Sequence, residues 1–292
     1  MTKNVSLDKE LSLMVALDLT QMDAILLRYV SFLSRVWKIK HLYFTHNIKQ
    51  SQLYNLYEDF LKDDITIEDI VGRELERSIK ENYAGTAPHT LLISSDNYTE
   101  SVLTELAKEY KIDVVVTGNK DELQGTGALS QKLVRMLQSN LLLVPEETKH
   151  HLNKVLIPTD FSADSAKSFL AAKSLVESSK GEVVALHVYN IPSFFFPYID
   201  TQKAIDKTKK HLHLKFQQFS KKHRLAENVR FQHIDREELS VVEVIEQQAE
   251  NENFDIIVLS ARGGNNITSL FIGSITNDLL LRNRNMPLLV II

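Results

Sequence analysis

The chain has 292 residues, of which 43% are apolar and 25% charged, proportions that are ordinary for a soluble globular protein. Its formal net charge of −4 and isoelectric point near 6.2 predict no binding to nucleic acid or to an anionic membrane surface. Cysteine is absent, which excludes disulfides and thiolate catalysis, and without a signal-peptide core or membrane-length apolar run we expect a cytoplasmic protein.

In the first half, five short apolar runs alternate with helix-length stretches. The predicted strands cover residues 12–17, 40–46, 90–95, 112–117 and 140–144. Asn97 and Glu100 have the spacing of a capping box at the start of the helix that follows the third strand. Asp18 directly follows the first strand, and we interpret it as a helix cap.

The second half follows the same order, with predicted strands at residues 155–159, 183–189, 229–234, 254–261 and 286–292. Ser162 is expected to cap the first helix of this half. A long polar helix is predicted over residues 200–223. Ser240 and Glu243 form a capping box before the next helix, and the last helix is expected to begin near Ser274.

The two halves repeat one pattern, since residues 12–48 and 154–191 both run from an apolar strand through an aspartate and a helix to a second strand ending in Asn-Ile. A period of roughly 145 residues indicates duplicated domains, here 1–147 and 151–292, rather than a solenoid. Strands separated by helices predict two doubly wound α/β domains, each with a mainly parallel five-stranded sheet of Rossmann-like type. We expect them to pair internally through their apolar last strands, and a homodimer remains open.

Ligands of open parallel sheets bind beyond the carboxyl ends of the strands. In the second half these ends carry glycines that permit close backbone approach, a helix start that suits a phosphate, and polar side chains that could contact a sugar or base. The candidate site residues are Pro158, Thr159, Asp160, Val188, Ser260, Arg262, Gly263, Gly273, Ser274 and Ile275.

The Pro-Thr-Asp-Phe-Ser segment at 158–162 and the Gly263-x9-Gly273-Ser274 spacing resemble the universal stress protein family over nearly the whole chain, as a tandem two-domain member. The resemblance implies an adenine nucleotide alpha hydrolase-like fold, a role in stress response and, for one subgroup, ATP binding. It implies that Gly263, Gly273 and Ser274 hold phosphates, and that Asp160 and Val188 lie at the sugar and adenine side. Ser260 departs from the family motif, which has glycine there.

The first half departs further from that motif. Only five residues separate Asp121 from Gly127, against nine in the second half, and Ala128 stands where the second half has Ser274. Ala16 and Leu17 replace the Pro-Thr pair. We therefore expect a degenerate first site and any adenine nucleotide, ATP or a related one, in the second half.

Other functions find less support. The ten histidines form no metal-binding motif, and neither a nucleophile elbow nor a Walker A loop is present, so we predict no metal site and at most slow ATP hydrolysis. The alternative function is a structural or interaction module with both sites vestigial. Residues 194–198, Phe-Phe-Phe-Pro-Tyr, are interpreted as a buried plug in preference to an aromatic lid or partner patch.

Overall fold

The structure is a computed structural model that describes residues 9–49, 61, 65–120, 126–176, 181–226, 228–263, 272–283 and 285–292, without the side chains of 126–128 and 193. The chain divides into two units between His150 and His151. The predicted Asp121–Gly127 spacer of the first half falls largely outside the described residues.

The N-terminal unit alternates strands and helices in the order expected from its apolar runs. Its elements are β1 (Leu11–Ala16), α1 (Gln21–Val36), β2 (Ile39–Ile48), α2 (Ile67–Asn82), β3 (His89–Ser95), α3 (Thr99–Glu109), β4 (Val114–Asn119), α4 (Thr126–Met136) and β5 (Asn140–Pro145). The described parts of β1, β4 and β5 are buried almost throughout, because helices cover both faces of a parallel sheet.

The C-terminal unit repeats the pattern with one addition, a 3₁₀ helix at Ser193–Tyr198. Its other elements are β6 (Lys154–Pro158), α5 (Ala163–Val176), β7 (Glu182–Tyr189), α6 (Thr201–His223), β8 (Val229–Asp235), α7 (Val241–Asn251), β9 (Ile256–Ser260), α8 (Ser274–Arg282) and β10 (Leu288–Ile291). The long polar helix therefore lies where the sequence predicts it.

Both units have the same sheet. The strand order is β3-β2-β1-β4-β5 in the first and β8-β7-β6-β9-β10 in the second, and the neighbouring strands within each unit run parallel. The chain moves outward from the central strand first in one direction and then in the other, which defines a doubly wound fold. The predicted fold class, two repeated α/β domains with parallel five-stranded sheets, is confirmed.

The observed helix caps agree with the sequence predictions in the second half and differ from them in the first. Ser240 accepts from the Glu243 N–H at 3.2 Å while the Glu243 carboxylate accepts from the Ser240 N–H at 2.8 Å, the reciprocal capping box that was predicted. Ser162 likewise accepts from the Ser165 N–H at 3.1 Å.

The predicted capping box of Asn97 and Glu100 is wrong. Helix α3 starts at Thr99, its N-cap is Tyr98, and no side chain caps it. Asp96 accepts from the Tyr98 N–H at 2.8 Å and forms a turn one residue earlier, while the Glu100 carboxylate is bound by Lys132 at 2.5 Å. The spacing is present, but the helix starts two residues after Asn97, and Lys132 binds the Glu100 carboxylate.

The aromatic segment after β7 is exposed rather than buried, which corrects the interpretation as a plug. Phe194 is 67% exposed and Tyr198 86%, and Phe195 and Phe196 are also exposed. The 3₁₀ helix that carries them holds the rings away from the sheet, and helix α6 instead uses Leu212, Phe216 and Phe219 to cover it.

Candidate functional site

The carboxyl edge of the C-terminal sheet holds a cavity of ≈ 340 Å³ between the ends of β6, β7 and β9 and the start of α8. It lies at the point where the strand order reverses, between β6 and β9, as the fold predicts for a ligand site. All ten candidate residues line it, namely Pro158, Thr159, Asp160, Val188, Ser260, Arg262, Gly263, Gly273, Ser274 and Ile275. Residues 90 or more positions apart in the sequence are thus brought to one cavity.

The loop after β6 is held by its own polar side chains. The Thr159 hydroxyl accepts from the Phe161 N–H at 3.1 Å and bonds the Ser165 hydroxyl at 2.9 Å, while Asp160 accepts from the Ser162 N–H at 2.9 Å. Phe161 takes the left-handed conformation with φ 63°, which turns the chain sharply into α5. Asp160 therefore shapes the loop with one carboxylate oxygen and remains exposed at the cavity.

The start of α8 is fastened to the end of β9. The Gly273 N–H donates to the Ala261 carbonyl at 2.8 Å, and the Thr276 hydroxyl donates to the Ser260 carbonyl at 2.8 Å. The Ser260 hydroxyl donates to the Arg262 carbonyl at 2.6 Å, within its own loop. The side chain that departs from the family motif is thus engaged by its loop.

The α8 start has the features of an anion-binding helix terminus. Its N-cap is Gly273, and no side chain among the described residues caps it, so its first N–H groups lack an intrahelical or capping partner there. A Cβ at Gly273 would lie 3.4 Å from the Gly263 nitrogen, an ordinary contact, so none of its described neighbours requires glycine here. Ser274 is the first helical residue and is exposed; it is not the helix cap.

The opposite wall of the cavity is apolar and was largely missed from sequence. The lining residues not predicted are Ser165, Leu186, His187, Val241, Ile245, Leu259 and Thr276. Val241 and Ile245 are one helical turn apart directly after the Ser240 cap, so their spacing placed them on one face of α7. Nothing in the spacing indicated that this face turns towards the cavity.

His187 lies between the polar and apolar walls as a neutral side chain. Burial lowers its pKa, and the nearby Lys215 lowers it further. Its Nδ1 lies 2.8 Å from the Thr159 carbonyl oxygen, which can only accept, so Nδ1 carries the proton. The ring stacks on Phe161 at a centroid distance of 4.5 Å. His187 therefore fixes the β6 loop against β7.

The equivalent edge of the N-terminal sheet is filled by charged side chains. Lys120, only 8% exposed, forms an ion pair with Asp18, whose carboxylate also accepts from the Thr20 hydroxyl at 2.7 Å. Burial pulls the pKa of Asp18 upward, but the hydrogen bonds and charge of Lys120 and the bonds from Thr20 hold it below its usual value. Thr20, and not Asp18 as predicted, is the N-cap of α1.

A second carboxylate lies beneath this pair. Asp23 accepts from the Asp18 and Leu19 N–H groups, both at 2.9 Å, and burial raises its pKa to about 6. Three ionisable side chains thus occupy the first-half edge.

In the segments that the structure describes, no three His, Cys, Asp or Glu side chains are grouped as a metal ion would require. Among the same segments, no helix is both long and apolar enough to cross a membrane.

Comparison with known proteins follows the same division of the chain. The universal stress protein family profile matches residues 151–291. A universal stress protein from Archaeoglobus fulgidus DSM 4304 superposes with a TM-score of 0.63 at 14% identity, covering 96% of this chain and 97% of that one. A functionally unknown protein from Pseudomonas aeruginosa PAO1 gives 0.66 at 12% identity, covering 98% and 93%. No curated protein sequence matches significantly. These structures show that both halves share the fold, and residues 151–291 match the universal stress protein family.

Proposed function

We propose that the C-terminal domain binds ATP or a related adenine nucleotide, in a cytoplasmic protein with a role in stress response. The observation that carries the proposal is that ten residues chosen for nucleotide chemistry line one cavity at the switch point of the sheet. Its volume of ≈ 340 Å³ lies within the range of small-molecule sites, about 300–1,000 Å³.

The lining residues suit the three parts of a nucleotide. The start of α8, which no described side chain caps, would hold phosphates with Gly273 and the Ser274 hydroxyl, because helix N–H groups and the dipole favour negative charge. Asp160 would accept hydrogen bonds from ribose hydroxyls. The apolar wall formed by Val188, Val241 and Ile245 would cover the base.

We propose binding rather than efficient turnover. Among the lining residues that the structure describes, Asp160 is the one carboxylate and His187 the one imidazole. The His187 Nδ1–H is already donated to the Thr159 carbonyl, and Asp160 accepts from the Ser162 N–H. Slow hydrolysis is the most that we expect.

Calorimetric titration of the intact chain with ATP and with adenosine tests this function. One ATP per chain, together with measurable adenosine binding, would support a single site that contacts both phosphates and nucleoside. Two ATP per chain would show that the first half also binds. No binding of either ligand would favour the alternative of a structural or interaction module.

We also propose that the two halves pair through β5 and β10, their apolar last strands, with a homodimer as the alternative arrangement. An unpaired apolar edge strand is an aggregation hazard, so pairing the two strands would protect both. A compact chain of this length has a radius of gyration of about 19 Å. Small-angle scattering from the monomer near that value would support the pairing, and a clearly larger radius would contradict it.

A further inference from the structure

A contiguous apolar surface follows β7. We call residues 194–199 the aromatic loop; Phe194, Phe195, Phe196, Tyr198 and Ile199 are all exposed in it. The Phe194 and Phe195 rings pack on each other at a centroid distance of 4.3 Å. Exposed apolar side chains scattered singly need no explanation, but a cluster of five in six residues indicates an interaction surface.

The helix that follows carries a local excess of positive charge. Helix α6 contains seven lysines and one aspartate, Asp206, a formal charge of +6 with histidine neutral. The whole chain has a net charge of −4, so the rest of the molecule is acidic by comparison. The net charge of the whole chain predicts no membrane contact, but it averages over one strongly basic helix, α6.

Four of the seven lysines lie on the side of α6 that faces away from the sheet. The buried side chains Leu212, Phe216 and Phe219 mark the inner face, and the Phe216 ring stacks on Phe231 of β8 at 4.4 Å. Five exposed side chains lie on the opposite face of the helix, because they follow one another at spacings of four, three, four and seven residues. We call this set the outer stripe: Lys203, Lys207, Lys210, Leu214 and Lys221.

We propose that the aromatic loop and the outer stripe together dock the protein on an anionic phospholipid bilayer. The lysines would contact headgroup phosphates, and the aromatic rings would enter the interface between headgroups and acyl chains. Leu214, which is 50% exposed within the stripe, suits an apolar boundary rather than a nucleic acid backbone. The two segments are adjacent in the chain and both exposed, so together they supply the two weak signals that reversible membrane binding requires.

The surface has no other assigned task on this chain. None of its residues lines the nucleotide cavity, and the ion pair that Lys203 forms with Asp200 at 3.1 Å is highly exposed and therefore weak. Membrane docking thus stands independently of nucleotide binding.

Vesicle flotation with the intact protein tests the charge component. Binding is expected to vesicles of phosphatidylcholine mixed with phosphatidylglycerol, to be weak or absent with phosphatidylcholine alone, and to be largely lost at 1 M salt, where the Debye length is about 3 Å. Each lysine near an anionic surface is worth about fivefold in partitioning, so the triple variant Lys207→Ala, Lys210→Ala, Lys221→Ala should bind roughly a hundredfold more weakly. The matched control removes three exposed cations of the first half: Arg73→Ala, Lys80→Ala and Lys108→Ala.

A second set of variants tests the aromatic component. Phe194→Ser and Phe195→Ser should each weaken anionic vesicle binding about tenfold, while Tyr98→Ser, which removes an exposed ring of the first half, should have no effect. The chain has one tryptophan, Trp37, which is buried. The fluorescence emission of a Phe195→Trp variant should therefore shift to the blue when anionic vesicles are added, while the contribution of Trp37 stays constant.

Three results would overturn the proposal. The first is absence of binding to anionic vesicles at low salt, and the second is equal binding to neutral and anionic vesicles. The third is binding to a short DNA duplex that is as tight as binding to vesicles and unaffected by Phe194→Ser. That result would assign the basic face to nucleic acid rather than to lipid.

Discussion

The carboxyl edges of the two sheets share the conformation of the loop that follows the first strand and differ in the side chains around that loop. Leu19 and Phe161 both take the left-handed conformation directly after the aspartate that follows the first strand, with φ 61° and 63°. His46 and His187 each lie within 2.9 Å of a carbonyl oxygen at the end of that strand, through Nδ1 in both cases. The duplicated fold therefore preserves the frame of the site in both copies.

The side chains at the two edges differ in charge and in the space that they leave. Lys120 reaches into the first edge and pairs with Asp18, and Asp23 is buried where the second half has Ser165. In the second half, Ser165 is hydrogen-bonded to Thr159, and both residues line the cavity. The comparison shows that similar loops after the first strand carry an ion pair in one copy and line a cavity in the other.

The largest effect that we expect comes from Gly273→Val. Its side chain would stand over the start of α8, where the phosphates are proposed to rest, and ATP affinity should fall at least about a hundredfold, or about 2.7 kcal/mol. Gly127→Val, its counterpart in the first half, is the matched control and should leave affinity unchanged. Calorimetry on both variants decides between the halves; loss of binding in Gly127→Val alone would reverse the assignment.

The next prediction concerns Asp23 and the stability of the first half. Burial raises its pKa from an ordinary 3.8 to about 6, so the folded state binds the proton more tightly than the unfolded state does. The associated stability is fully present below about pH 4 and is lost as the pH rises through 6, an amount on the order of 3 kcal/mol. Denaturant unfolding across this pH range measures it.

Asp23→Ser, which installs the side chain found at the equivalent position of the second half, sharpens the test. This variant should show a flatter dependence of unfolding free energy on pH between about 4 and 7. Ser165→Ala in the second half should keep the pH dependence of the parent. An unchanged slope in Asp23→Ser would show that another group titrates there.

Ser274→Ala should separate the phosphate end from the nucleoside end. A hydrogen bond to a charged group contributes about 1.5–3 kcal/mol, so ATP affinity should fall roughly ten- to a hundredfold while adenosine affinity stays unchanged. Because Ser274 is exposed and does not cap α8, stability should change by less than about 0.5 kcal/mol. Equal losses for ATP and adenosine would contradict this assignment.

The smallest effects are expected from the two aspartates that follow the first strands. Asp160→Ala should weaken ATP and adenosine alike, by about tenfold, because it acts at the sugar or base. Asp18→Ala should leave affinity unchanged and lower stability by about 1 kcal/mol, since it leaves the buried Lys120 without its ion-pair partner. A loss of ATP affinity in Asp18→Ala would show that the first edge takes part in binding.

Local sequence patterns determined much of this protein. The repeat, the alternation of strands and helices, the Ser240–Glu243 capping box and the ten cavity residues followed from periodicity, from short-range spacing and from the resemblance to one family. These features depend on neighbours in the chain or on where parallel strands end, and both are visible in the sequence. The role of the ten residues in nucleotide binding remains a prediction.

Only the tertiary structure decided which residues meet across the chain. Lys120 and Asp18 pair over more than 100 residues, and a Cβ at Gly118 would clash with Met22 of α1, so this glycine serves packing whereas Ser260 fits at the equivalent place. The exposure of the aromatic loop and the apolar wall from α7 depend on how elements pack against one another. Packing is set by the shape of surfaces distant in sequence, which no local pattern encodes.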